Sequence, residues 1–584
     1  MVSREIHIRL LDWAPMPGGH GEHPPPPKPD GTLLRTARLI GRHSRVVAPA
    51  AAVLVVALVV LVNGLSPAEP PPRPYGRVVT TTCLLDQISL IRMARDYSPA
   101  RAGDIEMVPR QPNFVAGPDG TITHEGPWTN LQKVPMFLLG PGYIKRGRTK
   151  FRTVTTAAVA PTIASLLNYT SRSWLPEEAP LAEGIRLKRP TRPPRLVLTM
   201  VWEGVGRDVL AKWPNSWPDL RRLQNNGTWY DKASAGSSPS AGSAIQTTIG
   251  TGVYPRTHGI VGDSFLLNGK VVPAHADGPS DLLVPTLADL YDRAQRGRPL
   301  VGLVGTDRAG LGLIGHGASF PGGDRDFVAL HSASGPAGHW GLATASWARD
   351  YRVPRALESL GGLGTFNRRA DALDGATDGR WEGARLSRLD GGFDTPAGAD
   401  YETLALQRLI ATEGFGRDVV PDLVFASYGL PQLVAQRYGM NSFQMRDTVE
   451  TLDRELFVVR TFLNKTVGSH RWVLILTADH GSTPNPKVVG AFAIDPNELR
   501  RDLQQRFGGG PDKPSIVRAI SPTQIWLNMH LLHARGFTTY DVSRFLLGYT
   551  IGDNRKGDVA NAGERVFQAA FPTSLLPLLP CLGS

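Results

Sequence analysis

Trp472–Gly481 reads WVLILTADHG: six residues of unbroken apolar or β-favouring character, then a carboxylate and an imidazole side by side, then glycine. An apolar run of this length bounded by turn chemistry predicts a strand covered on both faces, and chemistry gathers where such strands end. Similar runs predict strands at Val134–Leu139, Arg195–Val201, Leu300–Val304 and Asp422–Tyr428, with a further one expected at Arg77–Leu85 (RVVTTTCLL). Between them, helices are expected at Thr155–Leu167 and at Asn441–Asn464. The second carries Met445, Val449, Leu452, Leu456 and Val459 at three-to-four spacing. Strands interleaved with helices predict an α/β sandwich with a mostly parallel central sheet and helices on both faces.

The chain has 584 residues, 41% hydrophobic and 20% charged. That is too long for one average domain and excludes a disordered, collagenous or polytopic membrane chain. A net charge of +12 is spread thinly, so a nucleic-acid partner is not expected. Cys83 and Cys581 have no metal-site spacing. Two separate buried thiols are the favoured reading, and a disulfide is the alternative if both lie outside the cytoplasm.

Val46–Val62 (VVAPAAAVLVVALVVLV) holds seventeen residues without a charge and runs on to Leu65. This is at the short end of a membrane-spanning helix and too long for the core of a signal peptide. Arg35, Arg38, Arg42 and Arg45 precede it. The positive-inside rule therefore leaves residues 1–45 as a disordered cytoplasmic tail, 46–65 as a single-pass anchor in the cell membrane and 66–76 as a Pro-rich linker, with the rest exported. A cleaved signal peptide is the rival reading, and Ser66-Pro67-Ala68 is a poor cleavage site. Residues 77–195 are expected to form the N-terminal part of the α/β fold and 196–584 its core. An inserted cap is expected around 305–400, where Gly and Pro abound and periodicity is weak.

Three segments in order, VWEGVGRDVL (201–210), GSSPSAGSAIQTTIGTGVYPRTHGI (236–260) and TADHG (477–481), resemble the alkaline phosphatase superfamily, and within it the type I phosphodiesterase/nucleotide pyrophosphatase branch. The Thr251–Ile260 element is the most specific match, and Asp479-His480-Gly481 the second. VPMFLLGPGYIKRG and VTTAAVAPTIASLL (134–167) also look like this superfamily. Such elements normally follow the Asp-His-Gly motif; here they precede it, which implies a permuted assembly of the same sheet.

The resemblance implies two divalent ions that clamp a phosphate and activate a Thr or Ser nucleophile. Tested position by position, the first strand-end Asp is Glu203 here. The nucleophile position is Gly242, with Ser240 and Ser243 as the nearest substitutes. The Asp and His of the next ligand pair are Gln432 and Gln436, whose neutral carboxamides are weak ligands. Asp479 and His480 remain. A further ligand His is expected before VPMFLLGPG; His124 is one candidate, and Trp128 occupies the competing offset. His258 is expected to shape a loop, and Asp86 in CLLDQIS is a weak candidate for the missing strand-end carboxylate.

The expected protein is thus an anchored, phosphodiesterase-like chain whose two-metal site and nucleophile are lost. It would act by binding a phosphorylated envelope ligand or a protein partner. The alternative is an active hydrolase with a rearranged site, holding one Zn or Mn ion through Glu203, Asp479 and His480.

Overall fold

The computed structural model describes residues 76–582, apart from 188–189, 275–280, 307–314, 316, 332–339, 343–344, 359, 362, 387–393, 556 and 558–559. The expected tail, anchor and linker (1–75), and part of the expected cap, lie outside the described residues. Among the described residues no helix is long and apolar enough to cross a membrane.

In chain order the elements that position the site are as follows. Helices α1 (Gly76–Thr82) and α2 (Gln87–Asp96) lead to strand β1 (Ile105–Pro109), then β2 (Met136–Leu139), β3 (Gly147–Thr155), helix α3 (Val159–Leu166) and β4 (Leu196–Trp202). Strand β5 (Thr228–Ser234) is followed by α4 (Gly242–Thr251), β6 (Val301–Gly305), β7 (Asp326–His331) and α5 (Pro396–Glu413). Then come β8 (Asp422–Tyr428), α6 (Leu430–Tyr438), α7 (Phe443–Leu463) and β9 (Trp472–Thr477). Strands β10 (Val517–Ile520), β11 (Gln524–Leu527) and β12 (Phe567–Pro572) end the set.

A ten-stranded sheet runs, from one edge, Trp340–Gly341, β7, β6, β8, β4, β9, β2, β5, β3, with Tyr351–Arg352 beside β7. From β7 to β9 every neighbour is parallel; β2 is antiparallel to both β9 and β5. Strand β2 precedes β9 in the chain by more than 300 residues yet pairs directly with the strand that ends in Asp-His-Gly, Leu139 opposite Leu474.

The apolar runs have a simple cause. Along β4, Leu196, Leu198, Met200 and Trp202 enter the core on one face, while Val197 and Val201 enter the core on the other. Strand β9 alternates likewise, with Trp472, Leu474 and Leu476 on the first face and Val473 and Ile475 on the second. Side chains alternate across a strand, so a sheet covered on both faces needs apolar residues at every position. Helices α5, α6 and α7 cover the first face, α3 and α4 the second. The heptad-like residues of α7, from Met445 to Val459, are all buried there.

A second, four-stranded antiparallel sheet, β10-β11-β1-β12, has its own core of residues from both ends of the chain. Its presence overturns two expectations. Arg77–Leu85 is not a strand: Gly76–Thr82 is helical, with the Thr81 and Thr82 hydroxyls donating to carbonyls four residues back. Packing of α1 into this core outweighs the β preference of its Val-Thr run. The cysteines are not separate thiols: Cys83 and Cys581 form a disulfide across 498 residues, Cα to Cα 5.7 Å.

Candidate functional site

The site lies where β4 and β9 end side by side. Strand β4 runs into Glu203 and Gly204, strand β9 into Asp479, His480 and Gly481, and Asp479 Oδ1 accepts hydrogen bonds from the Gly204 N–H (3.0 Å) and the His480 N–H (2.8 Å). Gly481 is there because the 130–131 backbone presses on it. Its N–H donates to the Leu131 carbonyl at 2.7 Å, and a Cβ would run into the Asn130 carbonyl oxygen. The whole cluster is buried: Glu203 is 1% exposed, Asp479 and His480 0%.

The residues expected as ligands are held by protein partners. Glu203 Oε1 accepts from the Ser427 hydroxyl at 2.5 Å and from the Gln246 carboxamide at 3.2 Å. His480 Nδ1 donates to the Gly481 carbonyl at 2.7 Å, which leaves the lone pair on Nε2. That nitrogen faces the Gln432 carboxamide at 3.2 Å, and turning the amide supplies it an N–H. Burial pushes His480 down to about 4 and raises Asp479, so the imidazole is neutral.

His124 joins the site. Its ring stacks on that of His480, centroids 3.7 Å apart and planes within 4°. Burial, then His480, pushes it down to about 3. Trp128, at the competing offset, precedes the short helix Thr129–Gln132 and packs against the core of the second sheet. Asp86 is excluded: it caps α2, accepting from the Ser89 N–H at 2.9 Å. His258 is the buried last residue of the short helix Pro255–His258, with Nδ1 accepting from the Ile260 N–H (3.1 Å) and Nε2 facing Thr248 Oγ1 (3.1 Å).

Gly242 is the first residue of α4, so the nucleophile position has no side-chain hydroxyl. Neither neighbour replaces it as a free hydroxyl. Ser240 Oγ donates to the His124 carbonyl at 3.0 Å, and Ser243 Oγ donates to Asp263 Oδ1 at 2.7 Å. Asp263 also accepts the Ser243 N–H at 3.2 Å, so a carboxylate sits on the amino end of α4. A helix amino end attracts anions; here the chain's own side chain answers that attraction. Sequence reading missed Asp263, which carries no periodic signal, and Gln246. The latter was within reach, since it stands one turn after Gly242 on the same helix face.

These residues do not fit a pair of divalent ions. Among the described residues, no group of three or more His, Cys, Asp and Glu side chains is arranged to hold a metal. Two parallel stacked imidazoles keep their in-plane lone pairs in parallel planes, which do not converge on one ion at the ~2.0–2.1 Å that Zn–N bonds need. Gln432 and Gln436 are neutral. Three buried side-chain atoms named here, His124 Nδ1, Gln246 Oε1 and Asp479 Oδ2, have no hydrogen-bond partner. Beside His124 opens a cleft of about 870 Å³, onto which Glu125, Asp263, Gln436, Asp495 and Arg555 also face.

A carboxylate at one strand end beside Asp-His-Gly at its neighbour is the arrangement that the resemblance to the alkaline phosphatase superfamily implies. Residues 197–535 match the family described as "Type I phosphodiesterase / nucleotide pyrophosphatase", more than half of the chain, and the chain belongs to that family. The family is generally metal-dependent. Among curated proteins the chain is 22% identical to a calcium-transporting ATPase of Myroides odoratus, over 58% of this chain and 70% of that one. It is 24% identical to alkaline phosphatase PafA of Elizabethkingia meningoseptica, over 61% and 72%. It is also 24% identical to alkaline phosphatase PhoV of Synechococcus elongatus, over 50% and 60%. The crystal structure of wild-type alkaline phosphatase PafA aligns with a TM-score of 0.47 at 18% identity, covering 62% of this chain and 77% of that one.

Proposed function

We propose that this protein is a binding protein built on a hydrolase fold, with the two-metal site and the nucleophile lost. The observation that carries the reading is the amino end of α4: Gly242 offers no hydroxyl, and Asp263 occupies the position where a phosphoryl oxygen would be attracted. The stacked His124–His480 pair and the Gln432 contact support it, because ligands meant for metal are engaged with one another. Replacing a metal-bound carboxylate and imidazole by carboxamides costs at least the ~10–100-fold that changes to the groups hydrogen-bonded behind metal ligands cause.

In this reading the chain is held by Val46–Leu65 in the cell membrane with residues 1–45 in the cytoplasm. The body stands outside, where it engages a phosphorylated envelope component or a protein partner. The Cys83–Cys581 disulfide supports the placement, since such bonds persist in oxidising compartments. The cleft beside His124 is the surface offered to the ligand.

A second reading is favoured by two of the unpartnered atoms, His124 Nδ1 and Asp479 Oδ2. One Zn or Mn ion on Asp479, His480 and Glu203 would supply Lewis acidity, with Ser243 or water as the attacking group.

Two measurements on the purified full-length chain separate them: metal content after Zn²⁺ and Mn²⁺ loading, and turnover of bis(p-nitrophenyl) phosphate. The binding reading expects no bound ion and no turnover above that of Asp479→Ala. Two ions per chain, or turnover abolished by His480→Ala, would sink it. One ion without turnover would place a metal in a binding site.

A further inference from the structure

The opposite end of the central sheet carries a second constellation. Two adjoining cavities of about 360 and 350 Å³ share Pro141, Gly142 and His470 and lie at the amino end of β9, beside Trp472 and Leu139. Asp479 follows the carboxyl end of that strand, so roughly 20 Å of strand, at ~3.3 Å per residue, separates this cleft from the candidate site.

Arg146, Arg186, Arg460, His470, Asn226 and Asn464 line the larger cavity, and Arg192 the smaller. Among the described residues no carboxylate lines either one. This contrasts with much of the surface, where arginines are answered: Arg148 by Asp231, Arg152 by Glu183, Arg256 by Glu177. Arg186 spends Nε on the Ile144 carbonyl at 3.2 Å. Its two terminal nitrogens form the rest of its fork. Arg460 Nε is buried with no hydrogen-bond partner. Asn464 Oδ1 accepts from the Trp472 indole N–H at 3.1 Å, so its amide N–H groups are what it can still offer. The cavity wall is thus rich in donors with little acceptor to meet them, above an apolar floor of Leu139, Ile144 and Leu223.

We propose that this cleft binds a phosphate-bearing anion, held by the forked guanidinium groups of Arg146, Arg186 and Arg460 with His470 at the junction of the two cavities. Planar guanidinium forks match phosphate oxygens two at a time, which a field of scattered lysines does not. The site is independent of the degenerate one, since no residue is shared. The anion is either a small free phosphate compound or the headgroup of an anionic lipid.

The test is calorimetric titration of the full-length chain, in neutral detergent, with inorganic pyrophosphate. Saturable binding is expected, weakened about tenfold or more in Arg146→Ala and Arg186→Ala, the order for losing a charge-assisted hydrogen bond. Both side chains are exposed, so these variants should fold. Arg460→Gln should weaken binding in the same direction. Lys150→Ala removes an equal charge from an exposed position outside the cleft and should bind as the parent does. Non-saturable binding, or equal weakening by Lys150→Ala, would overturn the proposal, because either means general electrostatic attraction. Dihexanoylphosphatidylglycerol, kept below its micellar concentration, distinguishes the sources. Displacement of pyrophosphate indicates a lipid headgroup, and failure to displace indicates a free phosphate compound.

Discussion

At the residue scale, the proposed loss of the site comes down to three residues, and it can be reversed. Gly242→Thr, Gln432→Asp and Gln436→His together put a hydroxyl at the amino end of α4 and a carboxylate and an imidazole on α6. The triple variant is expected to bind Zn²⁺ where the parent does not, read as metal per chain after desalting; Asp263→Ala added to it should help by clearing the amino end of α4. His258 gives a pH prediction away from those positions. Burial pushes it from 6.5 down to about 3, so between those values the unfolded chain holds a proton that the folded chain refuses. Its contribution to stability is complete above about pH 6.5 and is lost as the pH falls toward 3. Denaturant unfolding at pH 7 and near pH 5 should show a smaller acid-side loss in His258→Gln than in the parent. An unchanged slope would show that His258 is protonated in the folded state.

Elements explain why these residues meet at all. The Asp-His-Gly turn is pressed against the 130–131 backbone, and a Cβ on Gly206 would stand 2.6 Å from the Gly481 Cα. Gly481→Ala should therefore force the loop apart and lower stability by about 1–3 kcal/mol or more, the usual range for overpacking. Helix α7 does more than cover the sheet. From its buried face Asp453 accepts the Asp219 and Leu220 N–H groups, each at 2.7 Å, and so caps the short helix Pro218–Leu223. Asp453→Ala is expected to cost about 1–2 kcal/mol as a lost cap, measured by chemical denaturation. A change within error would mean that water replaces the carboxylate freely.

At the scale of the whole molecule, both ends of the described chain meet in the second sheet's core, and the Cys83–Cys581 disulfide fastens them. A cross-link closing so long a loop restricts the unfolded chain, and removing a native disulfide typically costs ~2–5 kcal/mol. Cys83→Ser, Cys581→Ser and reduction of the parent should lower the thermal midpoint by similar amounts. Unequal effects from the two single variants would point to the released thiol rather than to the lost bond.

The sequence by itself determined the central sheet, because a strand buried on both faces must be apolar at every position, and the strands around residues 136, 196, 301, 422 and 472 announce themselves that way. It also carries the proposal that the site is lost, since Gly242, Gln432 and Gln436 lack the hydroxyl, carboxylate and imidazole chemistry that the resemblance implies there. Only the tertiary structure decided that Gly76–Thr82 is a helix, since the core it enters is made by residues hundreds of positions away. The same distance kept the Cys83–Cys581 pairing and the arginine-lined cleft out of view, whereas Asp263, 20 residues from Ser243, stayed hidden because it carries no periodic signal. Local pattern records burial and propensity; it does not record which side chains from remote segments are brought within a hydrogen bond of one another.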